Sequence, residues 1–156
     1  MENQAGIRHL NSEFSVLPSI IYNITEDPGT GHLLMATILD PQEGDTIFDP
    51  ACGSGGLLIK AQLRLKEKVA AEKGVDAHAL KTGDIARPLQ LFGQEINADT
   101  YAMAKMNAFI HDMEADIALG DTMLRPSFTE GDGSLREFDL VTGRVIGHQD
   151  GFGFLV

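Results

Sequence analysis

Three short stretches carry the residues best suited to hold a ligand. They are Asp49-Pro50-Ala51-Cys52-Gly53-Ser54-Gly55-Gly56, Gly93-Gln94-Glu95-Ile96-Asn97 and Gly120-Asp121-Thr122. In the first, three glycines let the backbone bend sharply and come close to a ligand with no Cβ in the way. A strand candidate ends at Asp49 and a helical pattern follows. The loop therefore belongs at the carboxyl end of a strand, where open α/β sheets bind their ligands. Glu95 and Asp121 end the second and third strand candidates. A carboxylate at the first of these places can accept both hydroxyls of a ribose. One at the second can accept from an exocyclic amine such as adenine N6. Each feature has a plainer alternative, a ligand-free turn or an exposed helix-capping acid. Three acidic loops, each after its own strand, outweigh that alternative. Two other nucleotide loops are excluded, since no Gly-Lys-Ser/Thr occurs and a dinucleotide loop would want glycine where Leu58 stands.

The elements that must position these loops follow from periodicity. Leu33 to Leu39 reads as a short helix closing at Asp40-Pro41, after a turn over Glu26-Asp27-Pro28-Gly29-Thr30-Gly31. Phe14 to Ile24 is a short helix or strand interrupted by Pro18. Thr46 to Asp49 is a buried strand. A helix from Leu57 puts Leu58, Ala61, Leu65 and Val69 on one stripe, with Gly74 as its stop. Val75 to Leu89 is a connector with one helical turn. Gln90 to Ile96 is a second strand, and Ala98 to Met113 a helix with Met103, Met106, Ile110 and Met113 at helical spacing. Asp116 to Leu119 and Phe138 to Val141 are further strands, separated by a loop over Arg125 to Glu137. Strand and helix in alternation predict a parallel sheet with flanking helices.

Bulk properties bound the function. The chain has 156 residues, enough for one domain with a core, and 43% of them are hydrophobic. No apolar run approaches the roughly 20 residues of a membrane span, and Met1 to Leu10 lacks the apolar centre of a signal peptide. A soluble cytoplasmic protein is expected. The net charge is −11, and the densest basic stretch, Lys60 to Lys73, is interleaved with Glu67 and Glu72. A protein that grips duplex DNA alone shows a basic face, so DNA as substrate requires another segment or subunit. Cys52 is the only cysteine, which rules out an internal disulfide, and the five histidines lack metal-ligand spacing.

Taken together, Asp-Pro-Ala-Cys-Gly-Ser-Gly-Gly from Asp49, Phe92-Gly93-Gln94-Glu95-Ile96-Asn97, Ala104-Lys105-Met106-Asn107 and Gly120-Asp121-Thr122 resemble one family. It is the modification subunit of type I restriction–modification systems, among the adenine-N6 DNA methyltransferases. The resemblance runs from Leu39 to Val141. It implies a class I methyltransferase sheet, here truncated and mostly parallel, and S-adenosylmethionine as cofactor. Asp49, Gly53 and Gly55 would then shape the methionine end of the pocket, Glu95 would hold the ribose and Asp121 the adenine, with Ala51 also among the cofactor-binding residues. DNA would be the substrate, reached through a specificity subunit in a hetero-oligomer. Cys52 follows Ala51 within the cofactor loop, unlike the proline-preceded cysteine nucleophile of cytosine-C5 methyltransferases, and reads as a small buried side chain.

The departures are as informative. In the family, a strand like Phe138-Asp139-Leu140-Val141 leads into Asn-Pro-Pro-Phe or Asn-Pro-Pro-Tyr, which holds the target amino group and stacks on the flipped base. Here it leads into Thr142-Gly143-Arg144, and the chain contains no Asn-Pro-Pro. Upstream, Ile24-Thr25-Glu26-Asp27-Pro28 matches poorly the Phe/Tyr-x-Thr-Pro segment that closes over the cofactor. The chain alone is therefore expected to be inactive, with no catalytic residue assigned. The last residues, Gly143 to Val156, resemble the opening hairpin of a cold-shock OB domain of RNase R-type exoribonucleases. Asp150-Gly151 is the turn signal, and Phe152 and Phe154 lie on one strand face. A terminal hairpin burying two phenylalanines is the simpler account. The expected divisions are thus 1–32, a weakly patterned segment, 33–141, a partial methyltransferase domain, and 142–156, a hairpin tail of foreign origin. Competing readings are a protein-glutamine or RNA methyltransferase, a non-catalytic binding module, and the product of a gene rearrangement.

Overall fold

The computed structural model describes residues 28–142 and two further strands, Val145–Gly147 and Gly153–Leu155. The segments Phe14 to Ile24 and Glu26-Asp27, the Asp150-Gly151 turn and Phe152 lie outside the described residues. Helix α1 spans Pro28–Leu39, β1 Thr46–Asp49, α2 Gly56–Lys73, β2 Gln90–Glu95, α3 Ala98–Ile110, β3 Ala115–Leu119 and β4 Leu140–Val141. A single 3-10 turn, Thr82–Asp84, interrupts the connector between α2 and β2.

The four strands form one parallel sheet in the order β3-β2-β1-β4. The β1–α2–β2 and β2–α3–β3 connections place α2 and α3 on the same face. There Ile47, Leu91 and Ile117 of the strands meet Leu58, Ala61, Leu65 and Val69 of α2 and Ala104 and Ala108 of α3. This is the core, and α1 packs against the outside of α2. The stripe expected on α2 is thus its buried face, and Gly74 caps the helix in the left-handed conformation with φ 66°.

The opposite face of the sheet has no helix among the described residues. Phe48 and Phe92 project there and are covered by the long β3–β4 loop, which brings Phe128 and Phe138 against them with ring centroids 4.8–5.6 Å apart. The Arg136 guanidinium lies 4.4 Å from the Phe92 ring centroid, a cation–π contact that closes the cluster.

Three sequence expectations are corrected. The expected turn ends in a helix, because α1 starts at Pro28. Proline suits the first helical position, where its missing N–H costs nothing. In α3 the methionine stripe is not the buried face. Met103, Met106 and Ile110 are exposed at 47%, 58% and 63%, while Ala104 and Ala108 are buried. The helix packs on the first loop at Ala104, where a Cβ on Gly55 would lie 3.9 Å from Ala104 Cβ. The helix also stops at Ile110, short of Met113. Finally, β4 has two residues instead of four. Phe138 turns into the aromatic cluster, and Asp139 is held at the start of β1, its Oδ2 accepting from Thr46 N (2.8 Å) and Oγ1 (2.7 Å).

The tail strands, β5 (Val145–Gly147) and β6 (Gly153–Leu155), pair antiparallel as a separate two-stranded sheet. The antiparallel pairing expected of the tail hairpin is therefore present, while its turn lies outside the described residues.

Candidate functional site: three strand-end loops

The loops after β1, β2 and β3 meet at the carboxyl end of the sheet and are tied to one another by main-chain groups. Gly53 and Gly55 have φ of 56° and 83°, left-handed values that favour glycine. Gly55 occupies the N-cap of α2, and no side chain caps that end. A side chain at Gly53 would meet no atom within 4 Å, so the space in front of the loop is open.

The first loop is pinned to the second strand at two points. Cys52 N donates to Gln94 O (3.0 Å), and Gly53 N donates to Glu95 Oε2 (2.9 Å). The other carboxylate oxygen, Glu95 Oε1, accepts from Asn97 N (2.8 Å). Asn97 in turn caps α3, its side chain accepting from Asp99 N and Thr100 N. A carboxylate offers about four acceptor positions. Two are used here, so Glu95 keeps acceptor capacity toward the cleft.

The third loop is held to both others. Gly120 N donates to Glu95 O (2.9 Å), and Thr122 Oγ1 donates to Pro50 O (2.5 Å). Asp121 Oδ1 accepts from Met123 N (2.9 Å) and Leu124 N (3.2 Å), which fixes the side chain. Among the described residues no donor reaches its second oxygen. Pro50, Ala51, Glu95, Ile96, Asp121, Thr122 and Met123 line one end of a broad cleft of about 1260 Å³. Its other end runs past β4 to the phenylalanine cluster. Ile96 and Met123 stand 67% and 74% exposed at the lip.

Asp49 is the buried acid of the set. Its Oδ1 accepts from Ala51 N (3.1 Å). Burial pushes its carboxyl up to about 6, with the nearby Glu95 charge adding to the rise, while the hydrogen bond from Ala51 N opposes it. Burial likewise pushes the Cys52 thiol up to about 12, reinforced by the Asp49 and Glu95 charges. A thiol so far from ionising is no nucleophile at neutral pH. It fills space instead: a Cβ on Gly93 would lie 2.9 Å from Cys52 Sγ.

All six residues singled out in the sequence fall in this cluster of loops. Ala51, Glu95 and Asp121 line the cleft, whereas Asp49, Gly53 and Gly55 shape the loop behind it. Sequence reasoning missed the supports. Gln94, Thr122 and Asn107, whose Nδ2 donates to Ser54 O (2.9 Å), hold the loops in register. Ile96 and Met123 went unnoticed as well. The only local signal for these two was an apolar side chain directly after, or two places after, a strand-end acid.

The arrangement fits an adenosine-bearing ligand. It offers a fixed carboxylate with spare acceptor capacity at each of two strand ends, apolar surface at the lip, and open space before an uncapped helix end. The comparisons agree with it. The sequence profile described as N-6 DNA Methylase matches residues 28–144. The type I restriction enzyme MjaIX methylase subunit of Methanocaldococcus jannaschii is 34% identical over 89 residues, 57% of this chain and 13% of that protein. The StySPI methylase subunit of Salmonella potsdam is 29% identical over 105 residues, 67% of this chain and 19% of its own length. The chain therefore spans less than a fifth of these curated relatives. Among solved structures, the type I restriction–modification methyltransferase subunit from Streptococcus thermophilus superposes with a TM-score of 0.52 at 25% identity. That superposition covers 70% of this chain and 20% of the other. With its parallel sheet, its three laced loops and a profile match over most of its length, the chain belongs to the N-6 DNA methylase family.

Proposed function

We propose that this chain is the S-adenosylmethionine-binding part of a site-specific adenine-N6 DNA methyltransferase of the type I restriction–modification kind. One observation carries the reading: the strand-end carboxylates of Glu95 and Asp121 both face the cleft, with Ile96 and Met123 at its lip. Asp121 presents its second oxygen to the adenine amine, and Glu95 accepts from the ribose hydroxyls. Ile96 and Met123 give the purine apolar contact. Asp49, Ala51, Gly53 and Gly55 form the methionine end, where the uncapped amides of α2 favour a carboxylate. When bound, the cofactor supplies a methyl group on a positively charged sulfur.

In this reading residues 33–141 are the cofactor-binding unit and 142–156 an appended hairpin. DNA reaches the site through a partner, a specificity subunit in a hetero-oligomer, since a net charge of −11 provides no grip on phosphates. A cytoplasmic setting follows from that substrate. Among the described residues no helix is long and apolar enough to cross a membrane.

The test is calorimetric titration of the chain with S-adenosylhomocysteine. Glu95→Ala and Asp121→Ala should each lose on the order of 1.5–3 kcal/mol, the usual worth of a hydrogen bond to a charged group. Binding unchanged by both substitutions would remove these acids from the site.

A further inference from the structure

Gln94 sits between the two acids' loops and is completely buried, at 0% exposure. Leu91 and Gly93 of β2 face the helices, so Gln94 faces the opposite side with Phe92. Every polar group it brings there, except its own N–H in the sheet, is spent on a loop. Its side-chain Nε2 donates to Arg125 O (2.9 Å) and its Oε1 accepts from Ser127 N (3.0 Å). Its main-chain oxygen accepts from Cys52 N. Arg125 N also donates to Asp121 O (2.7 Å), so the amide grips the chain where it turns back after Asp121. The fit is close: a Cβ on Gly120 would lie 3.1 Å from Gln94 Nε2.

We infer that Gln94 is a positioning residue for adenine recognition, its primary amide holding the 125–127 turn so that the Asp121 carboxylate faces the exocyclic amine. The inference rests on the reading of Asp121 given above. A primary amide is required because one end must donate to a carbonyl and the other must accept from an N–H. A leucine does neither. An ionised glutamate accepts twice and sets an oxygen against Arg125 O. A protonated glutamate reproduces the amide pattern, donor at one oxygen and acceptor at the other.

The experiment measures discrimination between S-adenosylhomocysteine and its inosine analogue, in which a ring carbonyl replaces the exocyclic amine. The wild-type chain should prefer the adenosine ligand by roughly tenfold or more, the scale of a hydrogen bond to a charged group. In Gln94→Leu that preference should collapse toward unity, through loss of affinity for the adenosine ligand. A general structural defect would instead weaken both ligands alike. Gln94→Glu supplies the rescue. Its preference should approach wild type near pH ~5.5, where a buried carboxyl is protonated, and vanish near pH ~8.5, with the wild type measured at both values as reference. If Gln94→Leu unfolds, the Gln94→Glu comparison alone decides. A wild-type preference retained by Gln94→Leu, or a Gln94→Glu preference that ignores pH, overturns the inference and leaves the role of Asp121 standing. A wild type without preference sinks the Asp121 reading, and this inference with it.

Discussion

The carboxyl end of the sheet divides into two unequal parts. After β1, β2 and β3 the loops are knit together by Cys52 to Gln94, Gly53 to Glu95, Gly120 to Glu95 and Thr122 to Pro50. Directly after β4 the described residues include Thr142, whose N and Oγ1 both donate to Phe48 O. The first part presents acceptors outward to the cleft. In the second the polar atoms turn back onto the neighbouring strand, and Thr142 is only 2% exposed. The two parts therefore have separate structural supports, and one can be well built without the other.

The sharpest test of that division is the reaction itself. Incubated with radiolabelled S-adenosylmethionine and unmethylated DNA, the chain alone should incorporate methyl groups no faster than a protein-free control. It contains no Asn-Pro-Pro-aromatic motif to hold the target amine and stack on the base. Incorporation well above that control would mean that the β4 side holds a catalytic group of another kind.

A smaller effect would break the knit side. Gly93→Ala places a Cβ 2.9 Å from Cys52 Sγ and 3.1 Å from Cys52 Cβ, beneath the loop that carries Gly53. Overpacking of this kind costs about 1–3 kcal/mol. The expected outcome is a lower melting temperature together with much weaker binding of S-adenosylhomocysteine. An unchanged melt with unchanged binding would show that the loop yields easily and that its register matters little.

The smallest and most graded effect concerns Asp49. Its carboxyl titrates near 3.8 when unperturbed and near 6 in the fold, so the folded chain binds that proton more tightly than the unfolded one. The resulting stabilisation is complete below pH ~4 and is lost as pH rises through about 6. Asp49→Asn abolishes that loss. The variant should gain stability relative to wild type between those two values, by at most about 3 kcal/mol for a shift of roughly two units. Denaturant unfolding at several pH values reads the difference, and a pH-independent difference would deny that Asp49 is desolvated. The same substitution probes the knit side from within, because Asp49 lies beneath the first loop and accepts from Ala51 N.

The loops were legible in the sequence because their chemistry is local. Glycines with positive φ, a strand-terminal acid and the alternation of strand with helix are all written within a few consecutive residues, and Asp49, Glu95 and Asp121 follow from them. The supports were not legible, because Gln94, Asn107 and Thr122 act on groups 31–33, 53 and 72 residues away. The buried face of α3 was not legible for a related reason. Hydrophobicity favours Met103 and Met106 as core, whereas the face that α3 turns to the core carries Ala104 and Ala108, with Ala104 packed next to Gly55. Likewise β4 lost half its expected length to contacts that periodicity does not encode, the stacking of Phe138 on Phe48 and the bonding of Asp139 to Thr46.

Cys52 gives the loop a built-in clock. Its sulfur is walled in beside Gly93, its thiol resists ionisation, and it is the only cysteine in the chain. A thiol reagent can reach it only in molecules whose glycine loop has momentarily swung off β2. The labelling rate, divided by that of an unhindered thiol, therefore gives the free energy of opening that one loop, separately from unfolding of the whole domain. Slowing of the same rate by a ligand would report occupancy with no enzymatic turnover required.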